Sequence, residues 1–323
     1  MRFSIRRTGV LGGLGSIAAI VAIPYCGRAQ TNSTLSTLRF ATVPNDPDTP
    51  LVYGQKAGIF AKYGIDLQIS RLTNGAAVTA ALLSGAIDMG KSNITTLIDA
   101  HEKGLPITLV AGVTVYYARE PIGGFILRKD SFIQTGADFN NQVVAVSALG
   151  DIGNVALRKW IDEHGGDWKS VKFIEVPPVV AAAAVEQGRA VAAECPEPML
   201  SAALESGRMR AGRTMFDALG SGILFGACST TKSFSAEHPS LVRAFARAWR
   251  ESSSYTNGHH AETVDMMAEF TGMSAAVIAK MHRTQAAEVL VPSQIQPVID
   301  ATVKYGALKQ SFPALDLIDP NVR

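Results

Sequence analysis

The polar side chains best placed to bind another molecule follow short predicted strands, at points where a new helix begins. Ser92 and Asn93 follow one such strand, and Glu194 and Glu197 follow another. Hydroxyl, amide and carboxyl groups there stand beside backbone N–H groups that the start of a helix leaves unpaired. In open α/β sheets, ligands bind at the carboxyl ends of the strands. These loops are therefore predicted to form a binding site.

Other loops at predicted strand ends extend this candidate site, and aromatic residues near the predicted crossings supply an apolar wall. We predict ligand contacts for Asn45, Asp46, Gly75, Ala76, Ser92, Asn93, Tyr116, Ser147, Gly150, Ile152, Glu194, Glu197 and Phe225. The alternative role for each is helix capping or packing. We favour helix capping for Asp151 and Glu197, so only part of the set is expected to touch a ligand.

The charge of these loops bears on the kind of ligand. Their acidic residues are Asp46, Asp48, Asp151, Glu194 and Glu197. If two or more of them face the site, a basic or hydrogen-bond-donating ligand fits better than a dianion. Arg71 and Arg119 are the nearest arginines, and a surface role is an equal alternative for both.

The sequence lacks the motifs of the common enzyme classes. It has no G-x-x-x-x-G-K-[ST] loop, no G-x-S-x-G turn, no H-E-x-x-H helix and no C-x-x-C pair. His259 and His260 are adjacent, but neighbouring side chains at a helix start point in different directions, so we interpret them as solvated. No nucleophile, base and stabiliser are assembled. We therefore predict a protein that is not an enzyme and that holds no cofactor or metal.

One arrangement of elements occurs twice along the chain. Residues 74–93 consist of a turn, an alanine-rich helix, a glycine, a short strand and a polar loop that begins another helix. Residues 179–199 repeat this order in different surroundings. Gly85 and Gly188 stand where a helix needs a residue that tolerates positive φ just past its end. Two such units indicate two α/β lobes, each offering a strand-end loop to a shared cleft.

The predicted elements follow from hydrophobic spacing and from Gly and Pro positions. A strand is predicted at residues 38–43, followed by a single helix that begins at Thr49 and ends near Gly64. The two repeated units place strands at residues 87–89 and 190–193. The last hundred residues have apolar positions at helical spacing and are predicted to pack on the first lobe.

Two segments interrupt this pattern and are interpreted as crossings between lobes. Residues 115–124 are neither helix nor clean strand, and glycines bracket Ser221 before a new strand begins at Ile223. We therefore assign residues 38–118 and 223–323 to lobe I and residues 119–222 to lobe II.

The composition fits this organisation. The chain has 323 residues, of which 47% are hydrophobic and 18% are charged, and its formal net charge is +2. This length allows two domains, each with its own core. The balanced charge, with no Lys/Arg cluster beyond the N-terminus, argues against a nucleic-acid partner.

The N-terminus is predicted to be an export signal covering residues 1–29. Arg6 and Arg7 precede an apolar, glycine-rich stretch that is shorter than the roughly 20 residues of a membrane span. Small residues then favour cleavage before Gln30. The two arginines match a twin-arginine signal in part. A lipid anchor at Cys26 and an uncleaved membrane anchor are less favoured, and we predict a periplasmic protein.

Two cysteines, Cys195 and Cys228, remain after this cleavage. A disulfide is chemically permitted in an oxidising compartment. Because one widely separated pair is weak support for a disulfide, buried free thiols are the favoured state.

Three sequence blocks resemble a known family. They are KAGIF with YGIDL at residues 56–67, LLSGAIDM at residues 82–89, and the strand at 190–193 followed by Glu197-Pro198. Their order and spacing are similar to those of the solute-binding proteins of ABC importers for sulfonates, taurine, nitrate and thiamine-precursor pyrimidines. The resemblance covers most of residues 38–305.

The resemblance implies the type II periplasmic binding-protein fold, an α/β fold in which two lobes, joined by two crossings, close on a ligand cleft. It implies a monomeric, extracytoplasmic solute-binding component that captures a small organic or oxyanion solute and delivers it to an ABC permease and its ATPase. Relatives that make a thiamine pyrimidine have a CCCFC segment, which is missing here, so an enzyme acting on a pyrimidine-type substrate is disfavoured. A ligand-sensing subunit of a membrane receptor is the other alternative.

Overall fold

The computed structural model describes residues 35–118, 122–306 and 308–323, which form two β-sheets and the helices around them. The strands are β1 (Ser36–Thr42), β2 (Ile65–Arg71), β3 (Met89–Asn93), β4 (Ile107–Tyr116), β5 (Gly123–Arg128), β6 (Val143–Val146), β7 (Lys172–Glu175), β8 (Ala192–Pro196), β9 (Met209–Ala211), β10 (Ile223–Thr231) and β11 (Gln285–Ala286). The helices are α1 (Thr49–Lys56), α2 (Ile59–Lys62), α3 (Gly75–Leu83), α4 (Ile94–Glu102), α5 (Ile152–Glu163), α6 (Pro178–Glu186), α7 (Met199–Glu205), α8 (Lys232–Glu237), α9 (Pro239–Gly258), α10 (Val264–Thr271), α11 (Ala275–Lys280) and α12 (Pro292–Tyr305).

The strand order shows that the chain passes between the sheets twice. The first sheet has the order β11-β4-β10-β3-β1-β2, and the second has the order β7-β6-β8-β5-β9. β1 runs parallel to β2 and β3, and β6 runs parallel to β7 and β8. β10 follows the second sheet in sequence, yet it lies antiparallel between β3 and β4 of the first. The predicted pair of crossings is thus present.

Each sheet has an aromatic core beneath its helices. Phe40 of β1 stacks with Phe245 of α9, with their ring centroids 5.6 Å apart. In the second sheet, Phe125 of β5 packs edge-on against Trp160 of α5 at 5.5 Å. All four side chains are buried, so each sheet excludes water from its own apolar layer.

The repeated unit is present in both sheets, but its strands begin later than predicted. Gly85 and Gly188 have positive φ values of 73° and 71°, which confirms their role just past a helix. The next residue in each unit completes the helix end, since Ala86 N donates to Ala81 O and Arg189 N donates to Ala184 O. β3 and β8 therefore start at Met89 and Ala192, two residues after the predicted starts.

The helix predicted between Thr49 and Gly64 is two helices. α1 ends at Lys56, and α2 begins at Ile59. Gly58 lies between them with a φ of 72°, a left-handed conformation that an α-helix cannot contain. The single-helix prediction was wrong because hydrophobic spacing continues across this break.

The C-terminal helices contact more than the first sheet. α12 packs against α4 and β10, and it also packs against α5 on the second sheet. Arg158 of α5 donates from Nη1 to the carbonyl oxygen of Tyr305, at the end of α12, over 2.9 Å. The tail therefore joins the two sheets on this side, which the sequence pattern did not predict.

The described helices include none that is long and apolar enough to cross a membrane. The predicted export signal and Cys26 lie outside the described residues, as does Arg119. Cys195 and Cys228 are buried free thiols, as predicted.

Candidate functional site

The loop after β1 carries two buried carboxylates that are paired with cations. The first is Asp46, which is 1% exposed and lies 2.7 Å from Nε of Arg283. Its other oxygen accepts hydrogen bonds from the backbone N and hydroxyl of Thr284, at 2.8 and 3.0 Å. The charge of Asp46 is therefore neutralised, and both of its oxygens are hydrogen-bonded.

The second carboxylate in this loop, Asp48, is paired with Lys91 of β3. The Lys91 ammonium lies 2.9 Å from Oδ1 of Asp48, and the Thr42 hydroxyl donates to the same oxygen at 2.6 Å. Burial raises the pKa of Asp48, and the charge of Lys91 opposes this rise. Lys91 also donates to Oδ1 of Asn45, so this predicted site residue is held inside the same network.

Four further predicted residues lie at the end of β3 and in the first turn of α3. Ser92 donates from its hydroxyl to the carbonyl oxygen of Gly75 over 3.1 Å. Asn93 caps α4, since its Oδ1 accepts from Thr96 N at 2.9 Å. Ala76 is exposed in the first turn of α3. The structure thus brings the β3 end and the start of α3 together, as the sequence predicts.

The loop after β6 leads into the capped start of α5. Asp151 caps this helix, because its Oδ1 accepts from Asn154 N at 2.8 Å and its Oδ2 accepts from Ala148 N at 3.1 Å. This confirms the predicted capping role. Gly150 has a φ of 81°, and its N–H donates to Oδ1 of Asn154. Ile152 is buried as the first residue of α5.

Glu194 of β8 is held differently from the carboxylates of the first sheet. It is 7% exposed, and its Oε2 accepts from the backbone N of Ser147 at 2.9 Å. The part of the chain that the structure describes gives it no ion pair. Burial raises the pKa of Glu194, and burial together with the charge of Glu194 raises the pKa of Asp151. Two buried acids therefore share the start of α5, and their joint ionisation is disfavoured.

Glu197 lies where the two sheets face each other. Its carboxylate accepts from the backbone N and hydroxyl of Ser201 in α7, at 3.0 and 2.9 Å, which confirms its predicted role at a helix start. Burial raises the pKa of Glu197; the charge of His282 lowers it and that of Asp46 raises it. Since His282 and Asp46 belong to segments around the first sheet, the strand-end loops of both sheets approach each other here.

The aromatic residues near the crossings form a stacked group. Tyr116 and Phe225 stack with their ring centroids 5.3 Å apart and their planes 11° apart, and Phe216 packs edge-on against Phe225. The Tyr116 hydroxyl donates to Asp217 in the return crossing, and burial raises the pKa of this hydroxyl. Tyr116 is fully buried and Phe225 is half-buried, so these rings stabilise the crossings.

The sequence did not reveal Lys91 and Arg283, the cations that neutralise the carboxylates of the loop after β1. Lys91 could have been noticed as a lysine just after the short predicted strand at residues 87–89, whereas Arg283 carries no local signal of its partner. Arg71, one of the two nearest arginines in the sequence, stacks its guanidinium over the Phe270 ring, with 4.6 Å between the guanidinium carbon and the ring centroid. No group of three His, Cys, Asp or Glu side chains in the described ranges is arranged to hold a metal.

Two relatives with known roles are similar to this chain. The formylaminopyrimidine-binding protein of Halalkalibacterium halodurans is 27% identical over 167 residues, which cover 50% of this chain and 49% of that protein. The 4-amino-5-hydroxymethyl-2-methylpyrimidine phosphate synthase of Schizosaccharomyces pombe is 23% identical over 294 residues, covering 81% of this chain and 79% of that protein. The match to the first relative thus spans about half of its length.

Solved structures show the same fold. The periplasmic aliphatic sulphonate binding protein SsuA from Escherichia coli aligns with a TM-score of 0.71 at 19% identity, covering 89% of this chain and 98% of that one. The periplasmic nitrate-binding protein NrtA from Synechocystis PCC 6803 aligns with a TM-score of 0.74 at 17% identity, covering 89% and 86%. The fold is therefore that of the periplasmic binding proteins, as the sequence blocks implied.

A family model gives the assignment. The model described as NMT1/THI5 like matches residues 45–263, which is more than half of the chain. This range includes the loops after β1, β3, β6 and β8, and so contains most of the candidate site. The protein belongs to the NMT1/THI5-like family.

Proposed function

We propose that this protein is the extracytoplasmic solute-binding component of an ABC importer, which captures a small organic solute between its two sheets. The observation that carries the proposal is Glu194. This carboxylate is buried beside the start of a helix and has no ion pair within the described residues. A buried carboxylate is costly unless it is hydrogen-bonded or paired. A ligand that donates N–H hydrogen bonds to Glu194 supplies the partner that the described residues do not provide.

The proposed ligand class is a neutral or cationic heterocycle with an exocyclic amino group, such as an aminopyrimidine. Glu197 follows Glu194 at the end of β8, and Asp151 lies beside Glu194 at the start of α5, so an anion bound there meets several carboxyl groups. Arg283, which lies beside the β1 loop, is already paired with Asp46. The binding of a formylaminopyrimidine by the Halalkalibacterium halodurans relative, as its name states, supports this choice. A sulfonate or nitrate fits less well.

The predicted loop residues of both sheets line the cleft, with Glu194 touching the ligand, Asp46 supporting the loop that faces it, and Tyr116 and Phe225 supporting the crossings. Lobe I comprises residues 38–118 and 223–323, lobe II comprises residues 119–222, and residues 1–29 direct export. Closure of the lobes presents a monomer to a permease and its ATPase.

A thermal-shift panel tests this proposal. Purified protein is heated with 4-amino-5-hydroxymethyl-2-methylpyrimidine, its formylamino analogue, taurine, an alkanesulfonate or nitrate. A ligand bound only by the folded state raises the melting temperature. We expect a shift with the aminopyrimidines. Glu194→Gln should weaken their binding by about 10- to 100-fold, since a hydrogen bond to a charged group is worth roughly 1.5–3 kcal/mol.

The control for this variant is Glu237→Gln, an exposed residue of α8, which should leave binding unchanged. A melting shift with the sulfonate or nitrate alone would overturn the proposed ligand class.

An enzyme acting on a pyrimidine-type substrate is the second candidate. The Schizosaccharomyces pombe relative, named as a synthase, matches 81% of this chain, and this favours the candidate. Formation of a new pyrimidine by purified protein, followed by chromatography and mass spectrometry, would establish it. Saturable one-to-one binding with full recovery of the unchanged ligand would support the transport role.

A further inference from the structure

Gly153, in the first turn of α5, leaves the space that the Glu194 carboxylate occupies. A Cβ atom built at position 153 would lie 1.9 Å from Oε1 and 2.1 Å from Cδ of Glu194. Non-bonded carbon and oxygen atoms are not found this close, because their optimal separations exceed 3 Å. Any side chain at position 153 therefore requires the carboxylate to move.

The backbone at this position has no need of glycine. Gly153 is the second residue of α5, and its φ lies outside the left-handed region. Asp151 already caps the helix through Asn154 N. Glycine in a helix is less favourable than alanine, because it loses more conformational freedom on folding. The reason for a glycine here must therefore lie in the space beside it.

That space decides where the Glu194 carboxylate lies. Within the described ranges, the hydrogen bonds to Glu194 come from Ser147, whose backbone N–H donates to Oε2. Hydrogen bonding to this single residue leaves the glutamate side chain free to rotate about some of its torsions. Close packing against Gly153 removes this freedom and keeps the carboxylate against the first turn of α5, where the helix dipole favours negative charge.

We propose that Gly153 is a positioning residue, which seats the Glu194 carboxylate for contact with the N–H groups of the ligand. This inference rests on the proposed function for its ligand, but the contact itself does not. An added methyl group displaces the carboxylate and weakens binding, even though the ligand does not touch position 153.

The primary test is Gly153→Ala, with Gly258→Ala as its matched control. Gly258 is the last residue of α9, and a Cβ there would meet nothing within 4 Å. We expect Gly153→Ala to weaken aminopyrimidine binding about tenfold or more, as a displaced site residue does, and Gly258→Ala to leave it unchanged. Shortening the acid in the double variant Gly153→Ala/Glu194→Asp should restore part of the affinity. Titration calorimetry measures each affinity.

A second measurement needs no ligand. Gly153→Ala should lower the melting temperature in the native background but not in a Glu194→Ala background, since the clash then has no partner. Equal losses in both backgrounds overturn the inference, as does unchanged affinity in Gly153→Ala. If the wild type binds none of the panel while the two positions remain coupled, the proposed function fails and the contact stands.

Discussion

The strand-end loops of the two sheets bury their carboxylates in different ways. After β1, Asp46 and Asp48 each lie against a buried cation, Arg283 and Lys91. Within β8, Glu194 accepts from the backbone N–H of Ser147 instead, and the described residues give it no ion pair. Both arrangements remove carboxylates from water, but only the first neutralises them.

The difference indicates that the two loops have different tasks. A buried ion pair completes its own electrostatic balance, so it stabilises a loop geometry without needing anything from outside. A buried carboxylate that has hydrogen-bond donors but no cation beside it keeps an unfavourable ionised state, which a further hydrogen-bond donor can relieve. We therefore interpret the β1 loop as a rigid part of the binding cleft and the end of β8, around Glu194, as the part that binds the ligand.

Removing a cation from the β1 loop should have the largest effect. In Arg283→Met, the Asp46 charge is left buried and unpaired, and the hydrogen bonds from Arg283 to Thr49 and Thr263 are also lost. Breaking a buried pair in this way costs about 3–5 kcal/mol of unfolding free energy. Urea unfolding monitored by circular dichroism measures the loss.

The control for this variant is Arg39→Met. Arg39 pairs with Asp88, but its side chain is 47% exposed, so water screens the interaction and the loss should be far smaller. Adding Asp46→Asn to Arg283→Met should recover part of the stability. Equal losses of unfolding free energy for Arg283→Met and Arg39→Met would contradict the interpretation that buried ion pairs keep the β1 loop rigid.

Titration of Glu194 should give an intermediate effect with a defined sign. Burial holds its pKa above the ordinary value, so between its unfolded and folded pKa the folded protein binds more protons than the unfolded chain. Stability is therefore lost as the pH rises through this window, by about 1.4 kcal/mol for each pH unit. Glu194→Gln should remove this part of the pH dependence. Urea unfolding of both proteins from pH 4 to pH 8 measures the difference.

Asp162 provides a control of opposite sign. Lys304 and the Tyr305 hydroxyl donate to it and lower its pKa, so its contribution to stability is lost as the pH falls through the folded pKa. Asp162→Asn should flatten the acid side of the stability profile and leave the Glu194 window unchanged. A Glu194→Gln profile parallel to that of the wild type would refute the assigned ionisation.

The smallest effect is expected at the ion pair between α11 and α7. Lys280 and Glu205 lie 3.6 Å apart, and their side chains are 73% and 49% exposed. An exposed pair of this kind contributes less than about 1 kcal/mol. Lys280→Ala should thus change ligand affinity by less than about fivefold. Calorimetry on this variant, and on the charge swap Lys280→Glu/Glu205→Lys, measures it. A larger loss that the swap repairs would show that this pair, rather than the buried loops, governs closure.

The two-sheet architecture could be predicted from the sequence because the residues that indicate it are local and occur twice. Gly85 and Gly188 marked the ends of two equivalent helices, and both have the expected positive φ. The strands after them were placed two residues early, since hydrophobicity does not show that the residues after each glycine complete a helix end. The break at Gly58 was missed for a similar reason, because apolar spacing continued through it.

In the candidate site, too, the sequence predicted hydrogen bonds to nearby residues but not contacts to residues far along the chain. The sequence alone determined the caps at Asn93 and Asp151, because a capping side chain bonds a backbone N–H only three residues away. The sequence also determined that acidic residues follow the strands. Only the tertiary structure decided which acids are neutralised, since Arg283 reaches Asp46 across 237 residues of chain. Long-range ion pairs depend on how the helices pack, and the spacing of residue types along the sequence does not predict this packing.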